Sequence, residues 1–317
     1  MSRFLVHRFL QAAALVAIMS FACYALIGLM PGDPIDLLLS SDPRLTPEDV
    51  ARLKALHGLD RPLVERYLAW LEKAVHGEFG YSRLYAQPAA GVLWPRLVNT
   101  AALMGTTLVL AAGLALPIGV AAAARAGTRF DRIVNALCFA GISVPTFWLA
   151  LILILVFAVS LGWLPAAGIP MARDPGVVDR LRHLVLPVAT LALATLGGHV
   201  RYVRAAMVEA LHQDFIRTAH AKGLAPRRVL WRHALRNALL PYVTVLALDC
   251  GTLVSGALVT ETMFGYPGMG KLIFDAVMGN DYNLALLALL LVTALTVACN
   301  LAADLVYAAL DPRIRQR

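Results

Sequence analysis

Apolar runs alternate with short polar turns along most of this chain, at about Phe9–Met30, Thr100–Ala124, Asn135–Leu164, His183–Ala206, Leu239–Thr260 and Leu284–Leu310. Each run is near or above the ~20 residues with which a helix crosses ~30 Å of hydrocarbon. The pattern therefore predicts six transmembrane helices and an all-α, polytopic fold. The third run is long enough to tilt or break, and Pro145 is its expected bend, because proline removes a backbone donor and crowds the turn before it. Gly113, Pro117 and Gly119 loosen the inner half of the second run. Only residues 31–98 form a sizeable polar region. Within it Pro47–His57 and Pro62–Val75 read as helical, and Leu63, Tyr67, Leu68, Trp70 and Leu71 give the second stretch an apolar face with an aromatic rim. That region reads either as a cap or as packing that closes the helix bundle.

Composition fits a membrane protein. The 317 residues are 59% hydrophobic and 15% charged, with a mean hydropathy of +0.69, against ~45–50% apolar and ~25% charged in a soluble domain. The net charge of +8 is spread along the chain rather than gathered in one patch. No nucleic-acid-binding module accompanies it, so no nucleic-acid partner is expected. Topology accounts for the charge better. With a cytoplasmic N-terminus the inner segments carry sixteen lysines and arginines, and the short outer loops four, once the long 31–98 loop is set aside. The positive-inside rule then places both termini in the cytoplasm. Three parts follow: a tail and first span at 1–30, an extracytoplasmic helical loop region at 31–98, and a five-helix core at 99–317 that includes a cytoplasmic loop at 207–238. The chain is accordingly expected to be a multi-pass membrane protein in contact with lipid. Cys23, Cys138, Cys250 and Cys299 each sit alone in an apolar run, which suggests neither a disulfide framework nor a metal site.

The loop is the most basic stretch of the chain, with eight lysines and arginines between Arg201 and Arg236 and only Glu209 and Asp214 against them. Glu209–Lys222 suits a helix, with Leu211, Phe215, Thr218, Ala219 and Lys222 near one face. Gly223 is placed to end it, and Pro226 to open a second helix. The result is an elbow outside the membrane, shaped for a partner to hold. Its charge alone is equally that of a basic loop beside anionic lipid, worth ~1 kcal/mol per lysine or arginine.

The string RTAHAKG, Arg217–Gly223, resembles the E-A-A-x3-G loop of binding-protein-dependent ABC importer permeases. It departs from the general pattern: Arg217 replaces the acid, and the later I-x-L-P positions read His233, Leu235 and Arg236. Those departures resemble the dipeptide/oligopeptide/nickel branch, whose loop reads R-T-A-x-A-K-G-L and then R-H-x-L-R-N-x-L-x-P, matched here by Arg217–Leu224 and Arg232–Pro241. PGDP at 31–34, GISVPTFWLALILILVFA, ETMFGYPGMG and the closing DLVYAALDPRIR also resemble that family. The resemblance implies a type I ABC importer permease fold in a bacterial inner membrane, with a cytoplasmic coupling helix. In it Arg217, Thr218, Ala219, His220, Ala221, Lys222, Gly223 and Leu224 would seat in a groove of an ATPase subunit. It implies as partners a second homologous permease making a heterodimer, two cytoplasmic ATPase subunits and an extracytoplasmic solute-binding protein. No cofactor is expected in this chain, ATP and Mg being bound by the ATPases, and no catalytic residue or metal ligand. Dipeptides, oligopeptides, glutathione and nickel all remain open as substrates.

Gly265–Lys271 matches the spacing of a phosphate loop, G-x-x-x-x-G-K, but Leu272 stands where serine or threonine is needed and no strand precedes it. Nucleotide binding is not expected there; the resemblance implies a tight reentrant or capping turn. Asp249 lies in mid-span, where a carboxylate costs about 3 kcal/mol and seeks a partner or a watery route. Together with Thr252, Ser255 and Gly256 it forms the candidate substrate pathway, where it could meet a peptide's amino end or another cation, or simply bond between helices. Asn300 and Asp304 read as structural. His199 reads as a satisfied bundle residue, with Arg201 and Arg204 marking the membrane border. A self-sufficient proton-coupled secondary transporter using Asp249 or Asp304, and a non-transporting scaffold, are the competing functions.

Overall fold

The computed structural model describes residues 2–29, 61–170, 176–255 and 258–310, with backbone alone for 2–5, 250–255 and 306–310. The expected helix at Pro47–His57, the PGDP turn and the DPRIR tail lie outside the described residues. Helix α1 spans Ser2–Gly28, α2 Leu63–Val75, α3 Ala89–Ala124 and α4 Arg129–Ser143. Helix α5, Thr146–Leu153, continues in wide π-type turns through Ser160. Helix α6 spans Val177–Leu211, α7 Asp214–Ala221 and α8 Leu235–Ser255, the last entered through Pro226–Arg228 and wide turns at Val229–Ala234. Helices α9 (Leu258–Met263), α10 (Met269–Met278) and α11 (Tyr282–Leu310) complete the set. Among the described residues the strands are β1, Tyr81–Ser82, and β2, Gln87–Pro88, paired antiparallel with Tyr81 opposite Pro88.

The fold is all-α and membrane-spanning, as the apolar pattern predicts. Helices α1, α3, α6 and α11 are long and apolar enough to cross a membrane, and the pair α4–α5, bent by 96°, is apolar enough to be either a broken fifth span or a re-entrant loop. The bend falls at Val144-Pro145, where the sequence places it. The remaining expected span coincides with α8, whose side chains are described only as far as Asp249, so six spans are compatible with the described residues. Helix ends differ from the expected ones. Helix α3 begins at Ala89 rather than Thr100, and α6 runs from Val177 to Leu211 rather than His183 to Ala206. An apolar run marks the thickness of the hydrocarbon, whereas the backbone ladder can continue into water at either end.

The chain divides into two compact units, Met1–Leu97 with Leu272–Val297, and Val98–Lys271 with Ala298–Arg317. In the first, α2 leaves no residue fully buried; its Tyr67 hydroxyl meets Ser20 Oγ of α1 at 2.6 Å, and Phe21, Tyr24, Tyr67 and Trp70 form an aromatic cluster. The hairpin turn 82–85 is tied to Asp281, which is 2% exposed. One carboxylate oxygen of Asp281 accepts from Ser82 Oγ at 2.6 Å and from the Leu84 N–H at 3.0 Å; the other accepts from the Leu284 N–H at 3.2 Å and caps α11.

In the second unit, Asp131 joins α4 to α6. It is 3% exposed and receives a two-pronged bond from Arg204, Nε at 2.5 Å and Nη2 at 2.7 Å. The Gly127 N–H at 2.9 Å and Asn135 Nδ2 at 2.8 Å supply two further donors. Thr128 caps α4. Arg204 is thus a helix-to-helix clamp, and Arg201 lies over the Phe139 ring at 4.2 Å.

Candidate functional site

The elbow is built on a buried anchor. Helix α6 stops at Leu211, Gln213 is extended, and the chain restarts as α7. The expected unbroken helix from Glu209 to Lys222 is therefore two helices, because an extended Gln213 cannot continue the ladder. The inward face keeps Leu211 and Ala219 of the expected set and differs from it at the other positions. Ile216 (4% exposed) and Ala219 (5%) point into a cluster with Met207, Ala210, Val229 and Ala234, while Phe215, Thr218 and Lys222 point out. Burying an isoleucine contributes about 2 kcal/mol, enough to seat a two-turn helix that could not persist alone. Arg217, Thr218, His220, Ala221 and Lys222 form the outward face. The Arg217–Asp214 pair, 3.3 Å apart with both side chains in solvent, adds little.

Gly223 ends α7 in a Schellman turn. Its N–H donates to the His220 carbonyl at 2.9 Å and the Leu224 N–H donates to Ala219 at 3.3 Å. The turn needs a residue at positive φ, and Gly223 has φ +72°. Leu224 packs half-buried against the anchor cluster. Of the eight coupling candidates, then, six are exposed, Leu224 is partly buried and Ala219 faces its own chain.

Asp249 lines a partly open cleft of about 320 Å³ between α3, α4, α6 and α8. Its walls are apolar at Met104, Leu108, Ile142 and Val245, with Thr107, Thr195, His199 and Tyr202 among the polar lining. Asp249 Oδ2 stands 3.8 Å from His199 Nε2. His199 is 7% exposed, its ring meets Tyr242 edge-on at 5.9 Å, and its Nδ1 has no hydrogen-bond partner. The satisfied bundle histidine expected from the sequence is thus half unsatisfied, and what it faces is the acid of α8. The side chains of Thr252 and Ser255, and all of Gly256, lie outside the described residues.

A third feature, Glu261, organises the 261–271 loop. It is fully buried. Its Oε1 accepts from Thr100 Oγ1 at 2.7 Å and its Oε2 from the Lys271 N–H at 2.9 Å. Thr100 Oγ1 in turn accepts from the Met269 N–H at 2.7 Å. Gly268 lies so close to this carboxylate that a Cβ there would come within 2.3 Å of it. Tyr266 donates its hydroxyl to the Asn99 carbonyl at 3.1 Å. Burial, assisted by Glu261, pushes the Tyr266 phenol up to about 12. The segment with phosphate-loop spacing therefore wraps an anion of its own, and the backbone N–H of Lys271 is committed to it.

Residues 115–316 match the family described as binding-protein-dependent transport system inner membrane component, and residues 1–98 match its N-terminal companion. The chain belongs to this permease family. It is 36% identical over 316 residues to the oligopeptide transport system permease protein AppB of Bacillus subtilis, covering 99% of each chain. It is 37% identical to the di/tripeptide transport system permease protein DppB of Pseudomonas aeruginosa, and 35% identical to the dipeptide transport system permease protein DppB of Escherichia coli K12, covering 93% of each chain in both. The family resemblance read from Arg217–Leu224 and Arg232–Pro241 is borne out, and with it the placement of the chain in the inner membrane.

Sequence reasoning on this permease found the elbow, its glycine corner and the mid-span acid. It missed Glu261, read only as part of a glycine-rich turn. A signal was available: Glu261 is an acid closing an apolar run, directly before a segment with three glycines. It also missed the Asp131–Arg204 clamp, whose partners stand 73 positions apart and leave no local trace.

Proposed function

We propose that this chain is one transmembrane half of an ATP-driven importer that carries dipeptides, oligopeptides or a related small solute into the cytoplasm, coupled through α7 to separate ATPase subunits. The observation that carries this reading is the elbow: a basic outward face of Arg217, His220 and Lys222 fixed to the protein by Ile216, Ala219 and a Schellman turn. A lever must be rigid at its root and exposed at its tip, and α7 has both properties. The lysine and arginine distribution supports a cytoplasmic position for the elbow and for both termini. A homologous permease completes the pathway in this reading, and a solute-binding protein delivers substrate from outside. ATP and Mg belong to the ATPases. The peptide-transport names of the relatives support the substrate class.

The test is co-purification from native membranes, comparing wild type with a Thr218–Gly223 deletion and with Gly223→Val. A left-handed conformation costs a β-branched residue about 2 kcal/mol, so Gly223→Val distorts the corner while the buried anchor remains. The expected result is that wild type retains a second permease and two ATPases, that the deletion loses the ATPases, and that Gly223→Val hydrolyses ATP without matching uptake. A chain that purifies alone, and takes up solute alone when placed in liposomes, would point to a secondary transporter instead.

A further inference from the structure

Helix α2 is fixed at a definite level of the membrane by its contacts with α1. The apolar stretch of α1, Val6–Gly28, has 23 residues and rises about 34 Å, little more than the ~30 Å hydrocarbon layer it crosses. Helix α2 packs on its last third. Leu63 Cδ1 lies 3.8 Å from where a Cβ on Gly28 would stand, and the Tyr67 hydroxyl meets Ser20 Oγ at 2.6 Å. Ser20 stands about 12 Å before Gly28, inside the hydrocarbon. The headgroup layer is only about 5–7 Å deep, so a tyrosine side chain that reaches Ser20 cannot leave α2 clear of it. The rings of Tyr24, Tyr67 and Trp70 gather at this level, with centroids 5.6–6.2 Å apart. Tyrosine and tryptophan are enriched at that depth, where a ring can be apolar on one side and wet on the other.

At 3.6 residues per turn the apolar and charged positions of α2 part cleanly. Leu63, Val64, Tyr67, Leu68, Leu71 and Val75 fall on one side, and Glu65, Arg66, Glu72 and Lys73 on the other. Tyr67 and Trp70 lean on α1, but Val64, Leu68 and Val75 are each more than half exposed. A 13-residue helix is marginal in water by itself, and this one buries no residue fully. We propose that α2 is an interfacial helix whose Val64–Leu68–Val75 stripe is covered by lipid, at the boundary of acyl chains and headgroups in the leaflet at the Gly28 end of α1. Two observations select lipid over a soluble protein. The stripe stands at the depth that the Ser20–Tyr67 bond sets. It also adjoins the open surface of α1: Phe21, whose ring meets Tyr67 at 5.2 Å, is exposed, as are Leu26 and Leu29 beyond it. On the polar side two acids offset two bases, so apolar burial rather than lipid charge supplies the affinity. In this arrangement α2 is neither a free cap nor bundle packing; it holds the chain between the first two spans against the membrane.

The experiment attaches an environment-sensitive nitrobenzoxadiazole dye at Leu68→Cys or at Glu72→Cys. The full-length chain, with Cys23, Cys138, Cys250 and Cys299 changed to alanine, is placed in phosphatidylcholine nanodiscs. Nitroxides carried by the lipid, near the headgroup or near the chain end, are compared with iodide in the water as quenchers. The dye at position 68 should emit further to the blue and be quenched several-fold more by the shallow nitroxide than by the deep one or by iodide. The dye at position 72 should be quenched mainly by iodide. Added phosphatidylglycerol should leave both patterns unchanged. Equal iodide quenching at the two positions overturns the proposal, and so does stronger quenching at 68 by the deep nitroxide. A position 68 shielded from lipid and iodide alike, in the chain alone or with its co-purified subunits, also overturns it, because a protein then covers the stripe. A pattern that appears only with phosphatidylglycerol overturns the apolar argument. Wild type supplies a second measurement that no substitution can spoil. With a lipid bearing a diazirine near its headgroup, illumination should leave adducts on the tryptic peptide Tyr67–Lys73; adducts on α1 with none on that peptide would sink the idea.

Discussion

Asp131→Asn removes one negative charge from the bond between α4 and α6 and changes almost nothing in shape. In the native protein two carboxylate oxygens serve four donors: Arg204 Nε and Asn135 Nδ2 on one, Arg204 Nη2 and the Gly127 N–H on the other. An asparagine presents one acceptor oxygen and one NH2 group, so two of the four donors face another donor. A hydrogen bond to a charged group contributes about 1.5–3 kcal/mol, and a buried group left unbonded costs about 1–3 kcal/mol. The Arg204 side chain is 27% exposed and recovers part of its hydration, so the expected loss is about 3 kcal/mol, at the lower end of the range for breaking a buried pair. Arg204→Met should cost about the same by stranding the carboxylate. The double variant should cost less than the sum of the two, by about 2 kcal/mol. Unfolding of purified protein in a single detergent, followed by far-UV circular dichroism against rising SDS, gives all three differences. Strict additivity, or singles that cost nothing, would refute the claim that this pair fastens the turn before α4 to the helix leading into the elbow.

Other consequences can be tested separately. Glu261→Gln sets an amide group against the Lys271 N–H and should open the 264–268 turn by about 2 kcal/mol, making its cleavage by a dilute protease about thirtyfold faster. Asp281→Ala loses the cap of α11 together with the acceptor for Ser82 and Leu84, and should raise hydrogen exchange at Leu84 and Leu284 in peptides resolved by mass spectrometry. The Tyr266 phenol is raised from 10.0 to about 12, so the unfolded chain gives up that proton first. The resulting stability is intact below pH 10 and lost as the pH climbs towards 12. Tyr266→Phe should lack that part of the alkaline loss when unfolding is measured across this range.

The spans, the Pro145 break and the elbow could be read from the sequence because each depends on local order: runs of apolar residues, a proline inside one of them, and a glycine followed by proline outside. What could not be read depends on partners far apart in the chain. Ile216 turns inward because Val229 and Ala234 return to meet it, whereas periodicity alone put Phe215, Thr218 and Lys222 on one face with Leu211 and Ala219. Asp249 stood out as expensive, but the sequence did not show that His199 would stand opposite it. Glu261 was hidden by a glycine pattern so familiar that the acid beginning it drew no notice.

The bond between Ser82 and Asp281 spans 199 positions, and that distance sets a schedule for making the protein. At roughly 5–20 residues per second, the ribosome needs about ten to forty seconds after Ser82 to reach Asp281. Throughout that interval the turn at 82–85 has emerged without the carboxylate that receives its hydroxyl and its Leu84 N–H. The first unit of the fold therefore begins with the chain's opening helix and closes only when its last span is being inserted. A chain truncated before Asp281 lacks the residue that ties the 82–85 turn to the start of α11, and quality-control proteases that read exposed turns would meet an unfinished molecule at that early turn as well as at its end.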